Sequence, residues 1–188
     1  MASPDFTAFR PIDVTNLKSG AAYRLVRADS VAPTAARLDE IAAICNQPAV
    51  YAFLFRDRLA GAPYPVENAR EFLAWAADGW RDGTQFVFLV VDAAGAVCAA
   101  ADIKSADVDG AETGYWASAA HAGVMTPAFG ALCDAARAAG YRRLFAWVRT
   151  ENARSIAVLE RNAFVRDAAG GETGPPARFL YRRAFAEA

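Results

Sequence analysis

The sequence predicts a single α/β domain of the α+β kind, with a mixed, mostly antiparallel sheet of about six or seven strands flanked by about four helices. Three observations predict this fold. Short apolar strands alternate with amphipathic helices, two strands follow each other across a tight turn, and no repeat, long linker or change in composition divides the chain. With 188 residues, 55% of them apolar, the chain can bury one sizeable core.

The first half of the chain predicts one strand and two helices. Tyr23–Arg27 alternates as a strand, while residues 1–22 show no clear period and are predicted to be an N-terminal extension of a domain at 23–186. Thr34 begins a helix that ends before Pro48, because proline disfavours helical geometry in the preceding residue. Pro65, at a first helical position, begins the second helix. Its apolar face comprises Val66, Ala69, Phe72, Leu73, Ala76 and Trp80.

The second half predicts strands and helices in alternation. Its first strand is a continuous apolar run, which is typical of a strand covered on both faces. The turn at Asp92–Gly95 makes the next strand its hairpin partner. In order, the elements are strands Phe86–Val91, Val97–Ile103 and Glu112–Trp116, a helix from about Thr126 to Ala139, strand Arg143–Arg149, a helix after Asn152 and a final strand at Arg178–Phe185.

Composition excludes several classes of function. The formal charge is -1, and the 20 basic and 21 acidic residues are interspersed, so we expect neither nucleic acid nor a membrane as partner. Cys45, Cys98 and Cys133 lack any C-x-x-C spacing, which argues against disulfides and zinc, and we expect no metal. No segment approaches the ~20 apolar residues of a membrane span, and no signal peptide is recognisable, so we expect a cytoplasmic protein.

A strand-to-helix junction at Trp147–Phe164 is the first candidate site. The strand runs through a polar turn into an amphipathic helix, which places Asn152 and Ser155 at the junction. Helix N-termini present unpaired N–H groups and the positive end of a dipole, so ligands often bind there. From the spacing alone, Asn152 either caps the helix, with Ser155 solvated in its first turn, or both residues face a ligand.

Three motifs resemble one known family. Residues 152–164 read N-x-R-S-x-x-V-L-E-R-x-A-F, residues 111–118 read A-E-T-G-Y-W-A-S, and residues 123–128 read G-V-M-T-P-A. They resemble, in order and spacing, the GNAT superfamily of acyl-CoA-dependent N-acyltransferases, in the branch of the ribosomal-protein N-terminal acetyltransferases. The resemblance spans roughly Tyr23 to Phe185. It implies acetyl-CoA as cosubstrate and direct attack by a primary amine, on a small molecule or a peptide N-terminus. A homodimer is a further expectation, because related proteins often pair.

The resemblance also implies where the cofactor binds. The family usually has Arg or Gln, two residues, Gly, one residue, and Gly or Ala before the cofactor-binding helix; here Ala120 and Met125 depart from that pattern. Thr126 with Pro127 resembles a helix cap followed by a first-turn proline. His121 either contacts a phosphate or is simply solvated. The implied cofactor-binding residues are Tyr115, Trp116, Gly123, Val124, Met125, Thr126, Asn152 and Ser155.

Catalytic roles follow from the same resemblance. Glu112 is the candidate general base, the alternative being an ordinary surface residue, and Glu151 and Asp102 are further candidates. Many members protonate the leaving thiolate with a tyrosine where this chain has Leu159, so Ser155 becomes the candidate donor. The segment between the first two helices often walls the acceptor site in such folds, although it could equally be a packed connection. It supplies Tyr51, Phe53 and Tyr64 as candidate substrate-binding residues.

Two other interpretations stay open. A non-catalytic or regulatory member would explain Ala120 and Met125 in the loop, and Ala163 where the family commonly has glycine. An unrelated α/β ligand-binding domain requires the order of the motifs to be coincidence. Replacing Gly123 by a bulky residue separates an enzyme, which should lose catalysis, from an interaction module, which should keep its partner.

Overall fold

The computed structural model describes residues 3–168, 172–173 and 176–186. Within them the chain forms strands β1 (Ile12–Thr15), β2 (Ala22–Arg27), β3 (Phe86–Asp92), β4 (Val97–Ile103), β5 (Ala111–Ala117), β6 (Arg143–Arg149), β7 (Val165–Arg166), β8 (Glu172–Thr173) and β9 (Arg178–Ala184). The helices are α1 (Ala35–Cys45), α2 (Pro48–Leu54), α3 (Val66–Asp82), α4 (Met125–Ala138) and α5 (Ala153–Arg161).

All the strands belong to one sheet in the order β1-β2-β3-β4-β5-β6-β9-β7, with β8 paired to β9. The β5–β6 pair is parallel, and the other pairs given for the described residues are antiparallel. The predicted mixed, mostly antiparallel sheet is therefore confirmed. The described part of the chain has more strands than the six or seven expected, because β1, β7 and β8 are too short to show a period of two.

The sheet carries a core on each face. One face packs against α4, with Phe88 of β3 and Phe129 of α4 fully buried there. The other face packs against α1 and α3, through Val87 and Leu89 of β3. The continuous apolar run in β3 is thus explained, since successive side chains point to opposite faces and both faces are covered.

The segment before β2 belongs to this architecture. β1 pairs with β2 along its whole length, from Ile12 opposite Leu25 to Thr15 opposite Ala22. Upstream, Phe6 is 7% exposed, and its ring centroid lies 4.7 Å from that of Phe86. The domain boundary predicted between residues 22 and 23 therefore falls inside a hairpin. The hairpin lacks a sequence signal because β1 has four residues and buries only Val14.

Two helix starts differ from the prediction. Pro65 is the N-cap of α3, one position before its first helical residue. α4 begins at Met125 with Val124 as N-cap, so Thr126 lies in the first turn and is not the cap. The chain turns earlier than predicted because Gly123 takes a φ of 105°, and Pro127 is tolerated because N–H groups in a first turn have no acceptor within the helix.

The end of α5 explains the alanine at position 163. The N–H of Phe164 donates to the carbonyl of Leu159, and the N–H of Ala163 donates to that of Glu160. This pair of bonds is a Schellman motif, which needs a left-handed residue after the helix cap. Ala163 takes that conformation with a φ of 59°. Glycine would do so without strain, but alanine still closes the helix.

Candidate active site

A cleft opens where β5 and β6 separate. The two strands pair in parallel only at Ala111–Leu144 and Glu112–Phe145, whereas β5 stays paired with β4 up to Ala117. The β6-facing backbone of residues 113–117 is therefore left without a partner among the described strands. A cleft of about 800 Å³ occupies this gap, lined by β5, β6, α2 and the starts of α4 and α5.

Basic side chains dominate the cleft. Glu112 is the acidic residue among its described lining, and it is paired with Lys104 at 2.5 Å, while Arg149 is paired with Asp57 at 2.6 Å. Four further cations have no ion pair within the described part of the chain. They are Lys18, Arg154, Arg161 and Arg178. On a chain of formal charge -1, the cleft is thus suited to an anionic ligand such as a phosphate ester.

The loop before α4 is fastened to the β1–β2 turn by a buried asparagine. Asn16 is 3% exposed, and its Nδ2 donates to the carbonyl oxygens of His121 and Ala122, each at 3.3 Å. Its Oδ1 accepts from the N–H of Lys18 at 2.8 Å. A Cβ at Gly123 would lie 2.5 Å from that same oxygen. The loop therefore requires glycine there, and the turn carries Lys18 into the cleft.

The predicted cofactor-binding residues of this loop fall into two groups. Gly123, Met125 and Thr126 line the cleft. Val124 does not; its side chain is fully buried in the core, and its N–H donates to the carbonyl of His121. The Val124 side chain therefore does not line the cleft, and its contact with a cofactor stays a prediction. The Nδ1 atom of His121 lies 2.8 Å from the Tyr23 hydroxyl.

Asn152, Ser155 and Tyr115 converge at the start of α5. Asn152 Oδ1 accepts from the N–H of Ser155 at 3.2 Å, so the asparagine caps the helix. The Tyr115 hydroxyl lies 2.7 Å from Ser155 Oγ and donates to the Ser155 carbonyl at 2.9 Å. Burial raises the pKa of Tyr115. All three residues line the cleft, and Trp116 lines it beside them.

A second cavity, the side pocket, adjoins the cleft across residues 114–116 of β5. It has a volume of about 510 Å³ and is walled by α3 and by the ends of β4 and β5. Asp102 reaches it from β4, where its Oδ1 accepts from the N–H of Gly114 at 2.9 Å. Burial raises the pKa of the Asp102 carboxyl, opposed by the nearby charge of Lys104. Glu151, the other alternative base, is exposed and outside both linings.

The three predicted substrate-binding residues do not lie together in one cavity. Tyr64 is 4% exposed and lines the side pocket, with its ring 4.6 Å from that of Phe55. Phe53 lines the main cleft. Tyr51 lies outside the lining of either, because its hydroxyl donates to the carbonyl of Ala62 and closes the loop after α2.

The cysteines are not placed for catalysis. Cys45, Cys98 and Cys133 are all buried and free. Burial raises the pKa of the thiols to about 12, 11 and 12, respectively, so almost no reactive thiolate forms at neutral pH.

Among the described residues no group of His, Cys, Asp or Glu is arranged to hold a metal ion. No helix in the described ranges is long and apolar enough to cross a membrane.

Sequence reasoning missed two of the cations of the cleft, and the asparagine that holds the turn carrying one of them. Asn16 and Lys18 lie in the segment predicted to be an extension, and Arg178 lies near the other end of the chain. No local pattern joins positions so far apart. The sequence signal for this region is the polar turn at Asn16–Gly20. Asparagine favours such a turn because its side-chain oxygen accepts from the next backbone N–H groups, here those of Lys18 and Ser19.

The comparisons with known proteins agree with this geometry. A family model described as "Acetyltransferase (GNAT) domain" matches residues 31–165. The structure of RimL, a ribosomal L7/L12 alpha-N-protein acetyltransferase, in complex with coenzyme A superimposes with a TM-score of 0.70 at 15% identity, covering 92% of this chain and 98% of that one. RimJ from Mycobacterium smegmatis, in complex with a CoA-disulfide, gives 0.64 at 18% identity, covering 97% and 90%.

A third structure is that of the microcin C7 self-immunity acetyltransferase MccE in complex with acetyl-CoA and AMP. It gives a TM-score of 0.67 at 13% identity and covers 87% of this chain and 92% of that one. A search of the curated proteins found no significant match.

Proposed function

This chain belongs to the GNAT acetyltransferase family, and from that premise we propose that it transfers the acetyl group of acetyl-CoA to a primary amine on a small molecule or a peptide N-terminus. The observation that carries the proposal is the basic cleft at the separation of β5 and β6. The cleft offers both cations and an unpaired strand edge to a cosubstrate that is rich in phosphate. Complexes of RimL and MccE hold CoA and acetyl-CoA, respectively.

The phosphates would bind at the end of the cleft formed by Gly123 and the start of α4. Backbone N–H groups of a first helical turn favour anions. Lys18 and Arg154, which come from the β1–β2 turn and from α5, line the same cleft and supply positive charge that Ala120 does not. The pantetheine arm would extend along the free edge of β5, and Asn152 would contact it with its amide nitrogen.

The chemistry requires two proton movements. The acceptor ammonium gives one proton to a carboxylate, and the free amine attacks the thioester carbonyl. As the C–N bond forms and the C–S bond breaks, a second proton passes from the nitrogen to the departing thiolate. Glu112 and Asp102 are the carboxylates at the junction of the cleft and the side pocket. The thiol of CoA has a pKa of ~8.5, so a hydrogen bond from Ser155 is sufficient to stabilise the departing thiolate.

Transfer without a covalent enzyme intermediate fits these residues. An acyl-enzyme needs an activated nucleophile, and the three cysteine thiols are buried and protonated. The non-catalytic interpretation, by contrast, rests on Ala120 and Met125 in the loop and on Ala163 after α5. Alanine at position 120, where the family usually has Arg or Gln, does not by itself leave the cleft without a cation, because Lys18 reaches it from the β1–β2 turn.

The proposal is tested by titration calorimetry with acetyl-CoA. Saturable binding is expected, and acetyl-CoA at 100 times its Kd should stabilise the fold by about 2.7 kcal/mol, or about 5–10 °C in the unfolding midpoint. Lys18→Ala and Arg154→Ala should each weaken binding by about 1 kcal/mol, roughly 5-fold. Arg70→Ala, which removes an exposed cation on α3 outside both cavities, is the matched control.

Gly123→Trp should abolish binding, because any side chain at position 123 meets Asn16. A folded wild-type protein that gives neither heat nor thermal stabilisation would contradict the proposal. Such a result would leave the non-catalytic interpretation.

A further inference from the structure

One wall of the side pocket is aromatic. Trp75 and Phe72 of α3 have ring centroids 6.3 Å apart, and Phe72 lies 6.0 Å from Trp116 of β5. The three rings form a continuous apolar surface from the mouth of the pocket to its junction with the main cleft. Trp75 is 40% exposed, and Leu54 at the same mouth is 45% exposed. Exposed large apolar side chains that line a concave site are typical of ligand contacts.

Polar groups lie beside Trp116 on the sheet side of the pocket, at the junction. Asp102 pairs in register with Gly114, so the two residues share a face of the sheet. Because Gly114 has no side chain, the Asp102 carboxylate and the Lys104 ammonium lie over it, with Asp102 Oδ1 3.4 Å from where a Cβ would be. Lys104 is already paired with Glu112. The carboxylate of Asp102 therefore faces the pocket with one backbone N–H as its partner.

We propose that the side pocket binds the acceptor of the reaction, that this acceptor is a primary amine joined by a short linker to a flat aromatic ring, and that Asp102 receives its ammonium. The inference rests on the proposed function, since it assumes that acetyl-CoA occupies the main cleft. The aromatic wall would stack on the ring, and the junction would place the amine beside the thioester.

The shape of the pocket favours a small amine over a peptide. Its volume of about 510 Å³ suits a ligand of a dozen or so heavy atoms. A peptide is recognised largely through its backbone amides, which need strand edges or polar partners along a groove. This pocket is instead lined by the aromatic rings of Phe72, Trp75 and Trp116. A ring with a cationic arm matches both the aromatic wall and the carboxylate at the end of it.

The proton step follows from the same geometry. The acceptor ammonium transfers one proton to the Asp102 carboxylate, and the neutral amine attacks the carbonyl of the thioester. As the C–N bond forms and the C–S bond breaks, a second proton passes from the nitrogen to the departing CoA thiolate, and the protonated Asp102 releases its proton to water. Glu112 is the less available base, because its Oε1 is held by Lys104 at 2.5 Å. Burial raises the pKa of Asp102, which brings its proton affinity closer to that of the amine.

The experiment measures thiol release from acetyl-CoA with a panel of amines. The panel comprises tryptamine, 2-phenylethylamine, 2-cyclohexylethylamine, ethylamine and a short peptide with an N-terminal alanine. We expect kcat/KM for the two aromatic amines to exceed that for ethylamine by at least about 10-fold. Their kcat/KM should also exceed that for 2-cyclohexylethylamine, whose ring is apolar but not flat.

Two variants locate the site. Trp75→Ala should lower kcat/KM for tryptamine by about 10-fold with the Kd of acetyl-CoA unchanged. Asp102→Asn keeps an oxygen for the Gly114 N–H but cannot take a proton, so it should lower kcat/KM for tryptamine by about 100-fold or more and remove the acid limb of its pH profile. Val165→Ala, at an exposed apolar position outside both cavities, is the control and should change nothing.

Each outcome has one meaning. Loss of activity in Asp102→Asn with unchanged acetyl-CoA affinity and an aromatic preference in the wild type support the inference. A wild type that binds acetyl-CoA but prefers the peptide or ethylamine, or an Asp102→Asn variant with wild-type kcat/KM, overturns it. Failure of the wild type to bind acetyl-CoA would instead overturn the proposed function.

Discussion

At the residue scale, Ser155 and Tyr115 form the contact most directly tied to the leaving group. Tyr115 has a single hydroxyl proton, and two acceptors, the carbonyl and Oγ of Ser155, lie within 2.9 Å of it. If Tyr115 donates its proton to the Ser155 carbonyl, the hydroxyl proton of Ser155 points at the phenol oxygen and must rotate to reach the sulfur. If Tyr115 donates to Ser155 Oγ, the hydroxyl proton of Ser155 is free to reach the thiolate directly.

Ser155→Ala is therefore expected to slow turnover without abolishing it. A hydrogen bond to a charged group contributes about 1.5–3 kcal/mol, so kcat should fall by about 10- to 100-fold while the Kd of acetyl-CoA changes little. Steady-state kinetics with calorimetry on the same variant measures both. Ser105→Ala, on the loop after β4, serves as control. A fall of many thousand-fold would show that Ser155 does more than stabilise the thiolate.

Single residues also show where sequence reasoning reaches its limit. Asn152 caps α5 as its residue type and spacing predict, because capping is a local interaction. Thr126 does not cap α4, because the left-handed turn at Gly123 begins the helix earlier. That turn depends on Asn16, more than 100 residues away, and no local rule contains it.

At the scale of elements, the β1–β2 turn and the loop before α4 behave as one unit joined by Asn16. Asn16→Asp retains the oxygen that accepts from Lys18 but replaces both donated bonds with a carboxylate facing the carbonyls of His121 and Ala122. We expect it to weaken acetyl-CoA binding at least about 10-fold, because a buried hydrogen bond left unmade costs about 1–3 kcal/mol.

Calorimetry and thermal unfolding of Asn16→Asp together check this expectation. Asn68→Asp, at the rim of the side pocket, is the matched control for the change in charge, and it should leave acetyl-CoA binding intact. Wild-type affinity in Asn16→Asp would contradict the coupling between turn and loop.

Elements with a clear hydrophobic period were predictable, and those without one were not. β3, β4, β6 and α3 follow from apolar runs or one-sided faces of seven residues or more. β1 and β7 have four and two residues and owe their conformation to the strand beside them. The cleft itself was predicted only in part. The β5 and α5 residues lie in it, and α5 also supplies Arg154 and Arg161, but Lys18 and Arg178 come from distant parts of the chain.

At the scale of the molecule, the first residues of the chain close one of the two cores. The ring of Phe6 packs against Trp80, Phe86, Phe88 and Tyr141, with centroid distances between 4.7 and 6.2 Å. Phe6→Ala should lower the free energy of unfolding by about 3 kcal/mol, as is usual for a buried phenylalanine. Urea denaturation measures the change.

Leu17→Ala, at a position 67% exposed, is the control and should change that free energy by less than about 0.5 kcal/mol. If Phe6→Ala were equally harmless, the contacts of Phe6 would not contribute to the stability of this core.

The uneven placement of charge has a consequence for the speed of encounter. This nearly neutral chain gathers four cations around one opening, namely Lys18, Arg154, Arg161 and Arg178. Their field draws anions towards that opening over about 30 Å in dilute buffer. Added salt shortens the reach of this field to about 8 Å at physiological ionic strength. An anionic cosubstrate should therefore associate faster in dilute buffer, with much less change in how quickly it leaves.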